Sequence, residues 1–161
     1  MKYWFIFLFA VLLIGCSSGN KVGEYRAVTG TITKEMLLTP EFPWFERNYV
    51  TYLIPESVLA ELESLVTEDV SFKVFSGTWC SDSRMWVPKF YKLMDTLGCK
   101  NYEVIGLDKK KVSPEKKEKD YNVTIVPTFI VFRAGKEIGR ILENPYNSLD
   151  EDFIEILKRE N

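Results

Sequence analysis

The chain has 161 residues, 46% of them hydrophobic, and a formal net charge of -2. This length suits one domain with a substantial core. The lack of a basic surplus argues against a nucleic-acid partner, because phosphate binding needs a positive field. The sequence has no histidine, and its three cysteines, Cys16, Cys80 and Cys99, are too widely spaced for a zinc knuckle. We therefore expect no metal and no cofactor.

The first sixteen residues have the pattern of an export signal. One lysine precedes an apolar run over residues 3–14, which is too short for a comfortable transmembrane helix. The run closes at Gly15-Cys16 in a way that resembles the lipobox of bacterial lipoproteins. The resemblance implies a signal peptide over residues 1–15, a lipid on Cys16 and a tether over residues 16–32, in a membrane-anchored envelope protein that faces the periplasm. An ordinary signal peptide with a chance cysteine is the alternative.

The next segment has apolar residues at helical spacing, interrupted by Pro40 and Pro55. We expect one domain over residues 33–161, in which residues 33–69 form an N-terminal helical extension and residues 70–161 form the core. The sequence leaves open whether the extension binds a client protein or only covers one edge of a sheet.

From residue 70 onward the hydrophobic pattern switches between the periods of strands and helices, in the order β-α-β-α-β-β-α. A parallel βαβ unit followed by a hairpin and a helix implies an α/β fold with a central mixed sheet covered by helices on both faces. The predicted elements are strands at 70–75, 102–107, 128–132 and 137–142, and helices at 83–97, near 113 and from 149 onward.

Cys80 lies at the point where the first of these strands gives way to a helix. Unpaired backbone N–H groups and the helix dipole at such a position favour a thiolate. Val126-Pro127-Thr128 precedes the hairpin, and an X-Pro bond there is able to adopt the cis form and turn its backbone towards the thiol. Both features point to a reactive cysteine beside a bent loop.

The ordered combination of strand, Trp-Cys-x-x-Ser, helix, strand and Val-Pro-Thr before a hairpin resembles the thioredoxin family, over roughly residues 70–158. More narrowly, the segment 77–84 is similar to secreted thioredoxin-like proteins of gliding and gut bacteria. The resemblance implies that Cys80 is the attacking cysteine, that Trp79 is the aromatic residue flanking it, and that Pro127 is the family's cis-proline.

The same resemblance implies that Val126 and Thr128 belong to the segment that binds an extended client peptide, by backbone pairing at Val126. Two departures from the family pattern agree with each other. Ser83 stands where the resolving cysteine belongs, and Val74 stands where many members bury an acid that deprotonates that cysteine. In a third departure, Asp82 places a negative charge beside the thiol.

Two side chains bear on how a single thiol would work. The Ser83 hydroxyl is able to donate a hydrogen bond to the Cys80 thiolate, so we count it with the catalytic residues. Cys99 follows the far end of a helix about 20 Å long, whereas a disulfide needs Cα atoms within about 7 Å. We therefore expect Cys99 to be a small buried residue and not a resolving thiol.

The resulting hypothesis is a monothiol thiol-disulfide exchange protein, of reductase or isomerase type, in which Cys80 attacks client disulfides. Its partners would be client proteins with thiols or disulfides, an external thiol that resolves the mixed disulfide, and the membrane through the lipid on Cys16. The alternative is a redox-inactive thioredoxin-fold lipoprotein that binds proteins through the same groove.

Overall fold

The computed structural model describes residues 26–159. The signal peptide predicted over residues 1–15 and the lipidation predicted at Cys16 lie outside the described residues. No helix between Arg26 and Arg159 combines the length and the apolar character needed to cross a membrane.

Between residues 26 and 159 the chain forms five strands and six helices, and their order from residue 70 onward is the predicted one. The elements are β1 (Gly30–Thr31), α1 (Lys34–Leu37), α2 (Pro43–Thr51), α3 (Glu56–Leu65), β2 (Val70–Ser76), α4 (Ser81–Leu97), β3 (Tyr102–Gly106), α5 (Lys117–Asp120), β4 (Thr128–Arg133), β5 (Lys136–Leu142) and α6 (Leu149–Leu157).

The strands form one mixed sheet in the order β1-β3-β2-β4-β5. Strands β2 and β3 are parallel, as expected for strands joined through a helix, and the other pairs are antiparallel. The edge strand β1 was not predicted from the sequence. It has only two residues, and Gly30 has a φ of 80°, so no alternation of apolar and polar residues predicts a strand there.

Helices α4 and α6 cover one face of the sheet, where Phe90 of α4 and Phe153 of α6 pack in the larger apolar cluster. The other face carries a smaller cluster that includes Phe75 and Val126, and it is covered by the segment 108–125 with the short helix α5. Helix α5 begins at Lys117, later than predicted. The Glu118 carboxylate accepts hydrogen bonds from the N–H and hydroxyl groups of Ser113, which holds the preceding residues in a loop.

The helices of the extension lie against the helical layer and not along a sheet edge. Helix α2 packs on α4, and α3 packs on α6. A polar contact joins the same parts, because Asp95 of α4 accepts hydrogen bonds from Lys34 Nζ at 2.5 Å and from the Tyr49 hydroxyl at 2.7 Å. The extension is therefore docked on the helix that begins at Cys80.

We expect this contact to make the stability of the domain sensitive to acid. Burial alone would raise the pKa of the Asp95 carboxyl, but the hydrogen bonds from Lys34 and Tyr49 outweigh burial and hold that pKa below its usual value. A lowered carboxyl pKa contributes stability above the pKa of the unfolded chain and loses it as the pH falls through the folded value. For a partly exposed pair such as this one the contribution is about 1 kcal/mol, lost below a pH of about 4.

Asp95→Asn should therefore lower the free energy of unfolding at pH 7 and reduce its decrease between pH 7 and pH 3, as measured by urea denaturation. Asp120→Asn, a change at an exposed residue of α5, is the matched control and should stay within about 0.5 kcal/mol of wild type. Identical pH dependence in wild type and Asp95→Asn would contradict the assignment.

Candidate functional site

Cys80 is the N-cap residue of α4, in extended conformation, directly after the loop that leaves β2. Its side chain is half-buried and packs beside Trp79 against the smaller apolar cluster. Its thiol donates a hydrogen bond to the carbonyl oxygen of Val126, with Sγ and O 3.3 Å apart. The sulfur is therefore partly open to solvent, at the positive end of a helix that spans 17 residues.

The segment facing the thiol is the loop that leads into β4. The peptide bond between Val126 and Pro127 is cis, and the Pro127 carbonyl accepts a hydrogen bond from the Glu143 N–H at 2.8 Å. The structure thus brings Cys80 together with Val126 and Pro127, which the sequence also singled out and which follow it only after a separation of 46 residues to Val126.

Trp79 is fixed across the start of the active-site loop, which we define as residues 77–80. Its indole Nε1 donates a hydrogen bond to the Leu107 carbonyl at 2.9 Å. Gly77 is needed beneath the ring, because a Cβ there would lie 2.6 Å from the indole. The loop closes on itself through a hydrogen bond from the Cys80 N–H to the Gly77 carbonyl.

Ser83 lies at the third position of α4 and is fully buried. Its hydroxyl oxygen accepts a hydrogen bond from the Gly77 N–H at 3.1 Å. In the part of the chain that the structure describes, Ser83 has no hydrogen bond to Cys80 Sγ. The Cys80 sulfur is hydrogen-bonded to the Val126 carbonyl instead, so the predicted bond from Ser83 to a thiolate stays a prediction. What the structure adds is that Ser83 supports the active-site loop.

A family model described as thioredoxin matches residues 58–155, more than half of the chain. The chain belongs to the thioredoxin family. The thioredoxin-like fold predicted from the sequence, with its central mixed sheet and flanking helices, is confirmed.

Several known proteins are similar to this thioredoxin-family protein. Thioredoxin H2 of Arabidopsis thaliana is 32% identical over 77 residues, which are 48% of this chain and 55% of that protein. The chain thus matches only about half the length of this curated relative. Among solved structures, a thioredoxin of Fasciola hepatica is 25% identical with a TM-score of 0.43, covering 63% of this chain and 93% of that one. A Pseudomonas aeruginosa protein of unknown function is 16% identical with a TM-score of 0.50, covering 71% and 75%.

Two other predicted positions of this thioredoxin-family site lie in the interior. Thr128 is fully buried, and its hydroxyl donates a hydrogen bond to the Ile125 carbonyl at 2.8 Å. It shapes the loop before β4 and does not present its hydroxyl to a client. Val74 is also fully buried, within the larger apolar cluster, so an apolar side chain stands at the position where the resemblance implies a buried acid in many family members.

Cys99 follows the C-terminal end of α4, one residue after Gly98, whose φ of 64° ends the helix. Its side chain is half-buried against the larger cluster, and burial raises the pKa of its thiol. A raised pKa leaves less thiolate at neutral pH, which lowers the reactivity of the Cys99 thiol. Within the described chain, no three Cys, Asp or Glu side chains come together in a way that would hold a metal ion.

Sequence reasoning missed the residues that hold the active-site loop in place. The sequence offers a usable signal at Gly77, since a glycine two positions before the tryptophan of a Trp-Cys pair suggests that the indole ring packs against the backbone there. The sequence offers no such signal for the role of Thr78. Its partners, Arg26 and Val28, lie 52 and 50 residues away, and no pattern in the sequence connects them.

Proposed function

We propose that this protein is a monothiol thiol-disulfide exchange protein of the bacterial envelope. The observation that carries the proposal is the half-exposed thiol of Cys80 at the start of α4, 3.3 Å from the carbonyl of Val126 in a loop that is bent at Pro127. Membership of the thioredoxin family supports the same chemistry. A lipid on Cys16 would hold the protein at the membrane, facing the periplasm.

The reaction begins when the Cys80 thiolate attacks one sulfur of a client disulfide. The client S–S bond breaks as a bond between Cys80 and the client forms, and the leaving client thiolate takes up the proton that Cys80 gave to solvent. Ser83 has no thiol to attack this mixed disulfide. An external thiol therefore attacks the Cys80 sulfur and displaces the reduced client, which leaves a disulfide between Cys80 and the external thiol. A second external thiol attacks the sulfur of the first, which frees Cys80 and leaves the two external thiols joined as a disulfide.

Client binding would use the backbone beside the thiol. The Val126 N–H donates to no acceptor among residues 26–159, so it is free to pair with an extended client segment. Trp79 would flank the client on the side of Leu107, and Pro127 keeps the pairing edge turned towards Cys80. Thr128 would contribute through the shape of the loop and not through contact.

The proposal is tested with a peptide disulfide and glutathione as the external thiol. We expect the wild-type protein to accumulate a mixed disulfide on Cys80 without glutathione and to release it when glutathione is added. Cys80→Ser should abolish this adduct, and Cys99→Ser is the matched control that should behave like wild type, as read by mass spectrometry.

A different result would favour the alternative function. A wild-type protein that forms no adduct, or a Cys80→Ser variant that still complements a deletion strain, would indicate a redox-inactive protein that binds partners through the same groove.

A further inference from the structure

The described chain begins with a segment that is attached to the active-site loop, and we call residues 26–32 the N-terminal strap. Thr78 makes the attachment. Its hydroxyl donates to the Arg26 carbonyl at 2.6 Å and accepts from the Val28 N–H at 3.1 Å, and its side chain is 1% exposed. One buried side chain thus satisfies two backbone groups of a distant segment, and the N–H of the buried Val28 would otherwise lack a partner.

The rest of the strap is fixed to the sheet and to α4. Gly106 of β3 lets the strap approach, because a Cβ at that position would lie 2.1 Å from the Val28 carbonyl oxygen. The Ile32 N–H donates to the Val104 carbonyl at 2.8 Å, and the buried Tyr91 hydroxyl of α4 donates to the Ile32 carbonyl at 2.7 Å. The strap therefore contacts β3, α4 and the active-site loop at once.

The strap and the thiol are coupled through very few bonds. Thr78 is two residues from Cys80, and the loop between them is closed by the hydrogen bond from the Cys80 N–H to Gly77. The sulfur is half-covered and bonded to Val126 only while the loop keeps this shape. Releasing the strap would free one side of the loop and uncover the sulfur.

We infer that Thr78 is a positioning residue for Cys80, and that it acts by tying the active-site loop to the N-terminal strap. This inference deepens the proposed function and rests on it. Its test does not require exchange activity, so the two can fail separately.

The test compares Thr78→Val, which keeps the shape of the side chain without the hydroxyl, with Thr78→Ser, which keeps the hydroxyl. The rate of Cys80 alkylation by iodoacetamide is measured in the full chain, with Cys99 as the internal reference. Losing the two hydrogen bonds should raise the Cys80 rate at least about threefold in Thr78→Val. In Thr78→Ser the Cys80 rate should stay close to wild type, and the Cys99 rate should not change in either variant.

A second variant weakens the same attachment from the strap. Val28→Pro removes the N–H that donates to the Thr78 hydroxyl, while the bond from that hydroxyl to the Arg26 carbonyl and the sequence of the active-site loop are kept. It should therefore raise the Cys80 rate in the same direction as Thr78→Val but by less. The inference is overturned if Cys80 alkylation is unchanged in Val28→Pro or in a folded Thr78→Val. It is also overturned if Thr78→Ser behaves like Thr78→Val, or if Cys99 alkylation accelerates equally.

Discussion

Ser83→Cys is expected to convert the site into one that releases its client without an external thiol. Cys80 and Ser83 occupy the N-cap and third positions of α4, and side chains three residues apart at a helix start are neighbours. Their separation therefore suits disulfide geometry. A thiol held at this distance attacks the mixed disulfide intramolecularly, so client release should accelerate by at least about a hundredfold.

The measurement is the lifetime of the peptide adduct on Cys80 in the absence of glutathione, followed by mass spectrometry. The expected product is an internal disulfide between position 80 and the new cysteine, formed with release of the reduced peptide. An adduct that persists in Ser83→Cys as long as in wild type would contradict the proposal that serine at this position is what stops release.

Ser83→Ala distinguishes the effect of residue 83 on client release from its structural support of the active-site loop. It leaves the buried Gly77 N–H without its acceptor, which should cost about 1–3 kcal/mol of stability, yet it should leave the adduct as long-lived as in wild type. Sulfur is a weak hydrogen-bond acceptor, so Ser83→Cys should lose part of the same stability. We therefore expect the dithiol variant to gain client release at some cost in stability.

Phe90→Ala is expected to give a large loss of stability, about 3–5 kcal/mol out of a total of about 5–15 kcal/mol. Phe90 is fully buried in α4, between the sheet and α6. Its ring contacts five other aromatic rings. The cavity left by alanine would be lined by rigid rings that cannot close in on it.

The free energy of unfolding from guanidinium denaturation tests this prediction. Tyr146→Ala is the matched control, since that aromatic side chain is 94% exposed and its loss should change stability by less than about 0.5 kcal/mol. A loss below about 1 kcal/mol for Phe90→Ala would show that the larger cluster repacks around the gap.

The parts of the fold that were predictable are those with strong periodic patterns. Apolar residues recur at helical spacing in α4 and at every second position in much of β2, because burial of one face imposes these periods on a sequence. Patterns of this kind predict the order of elements from residue 70 onward. The edge strand β1 was not predictable, since two residues at a sheet edge show no period. The start of α5 was misplaced because a side-chain contact between Ser113 and Glu118, and not backbone propensity, decides it.

The candidate site was predictable where local chemistry defines it. A cysteine at a strand-to-helix junction and an X-Pro step before a hairpin can both be read from neighbouring residues. The hydrogen-bond partner of Ser83 was not predictable from the sequence, because a buried hydroxyl bonds to whichever polar group lies closest in space. The same limit applies to Thr78, whose side chain joins parts of the chain that only the tertiary fold brings together.

The direction of β1 has a geometric consequence for where the reaction takes place. Because β1 runs antiparallel to β3, the backbone followed towards its beginning leads to the end of the sheet that carries Cys80, and Arg26 lies there against Thr78. Arg26 follows Cys16 by ten positions, which corresponds to a reach of at most about 35 Å. If Cys16 carries acyl chains, as in the proposed lipoprotein, the Cys80 thiol would stay within about this distance of the bilayer surface. Disulfides in proteins close to the lipid would then be the ones that it can reach.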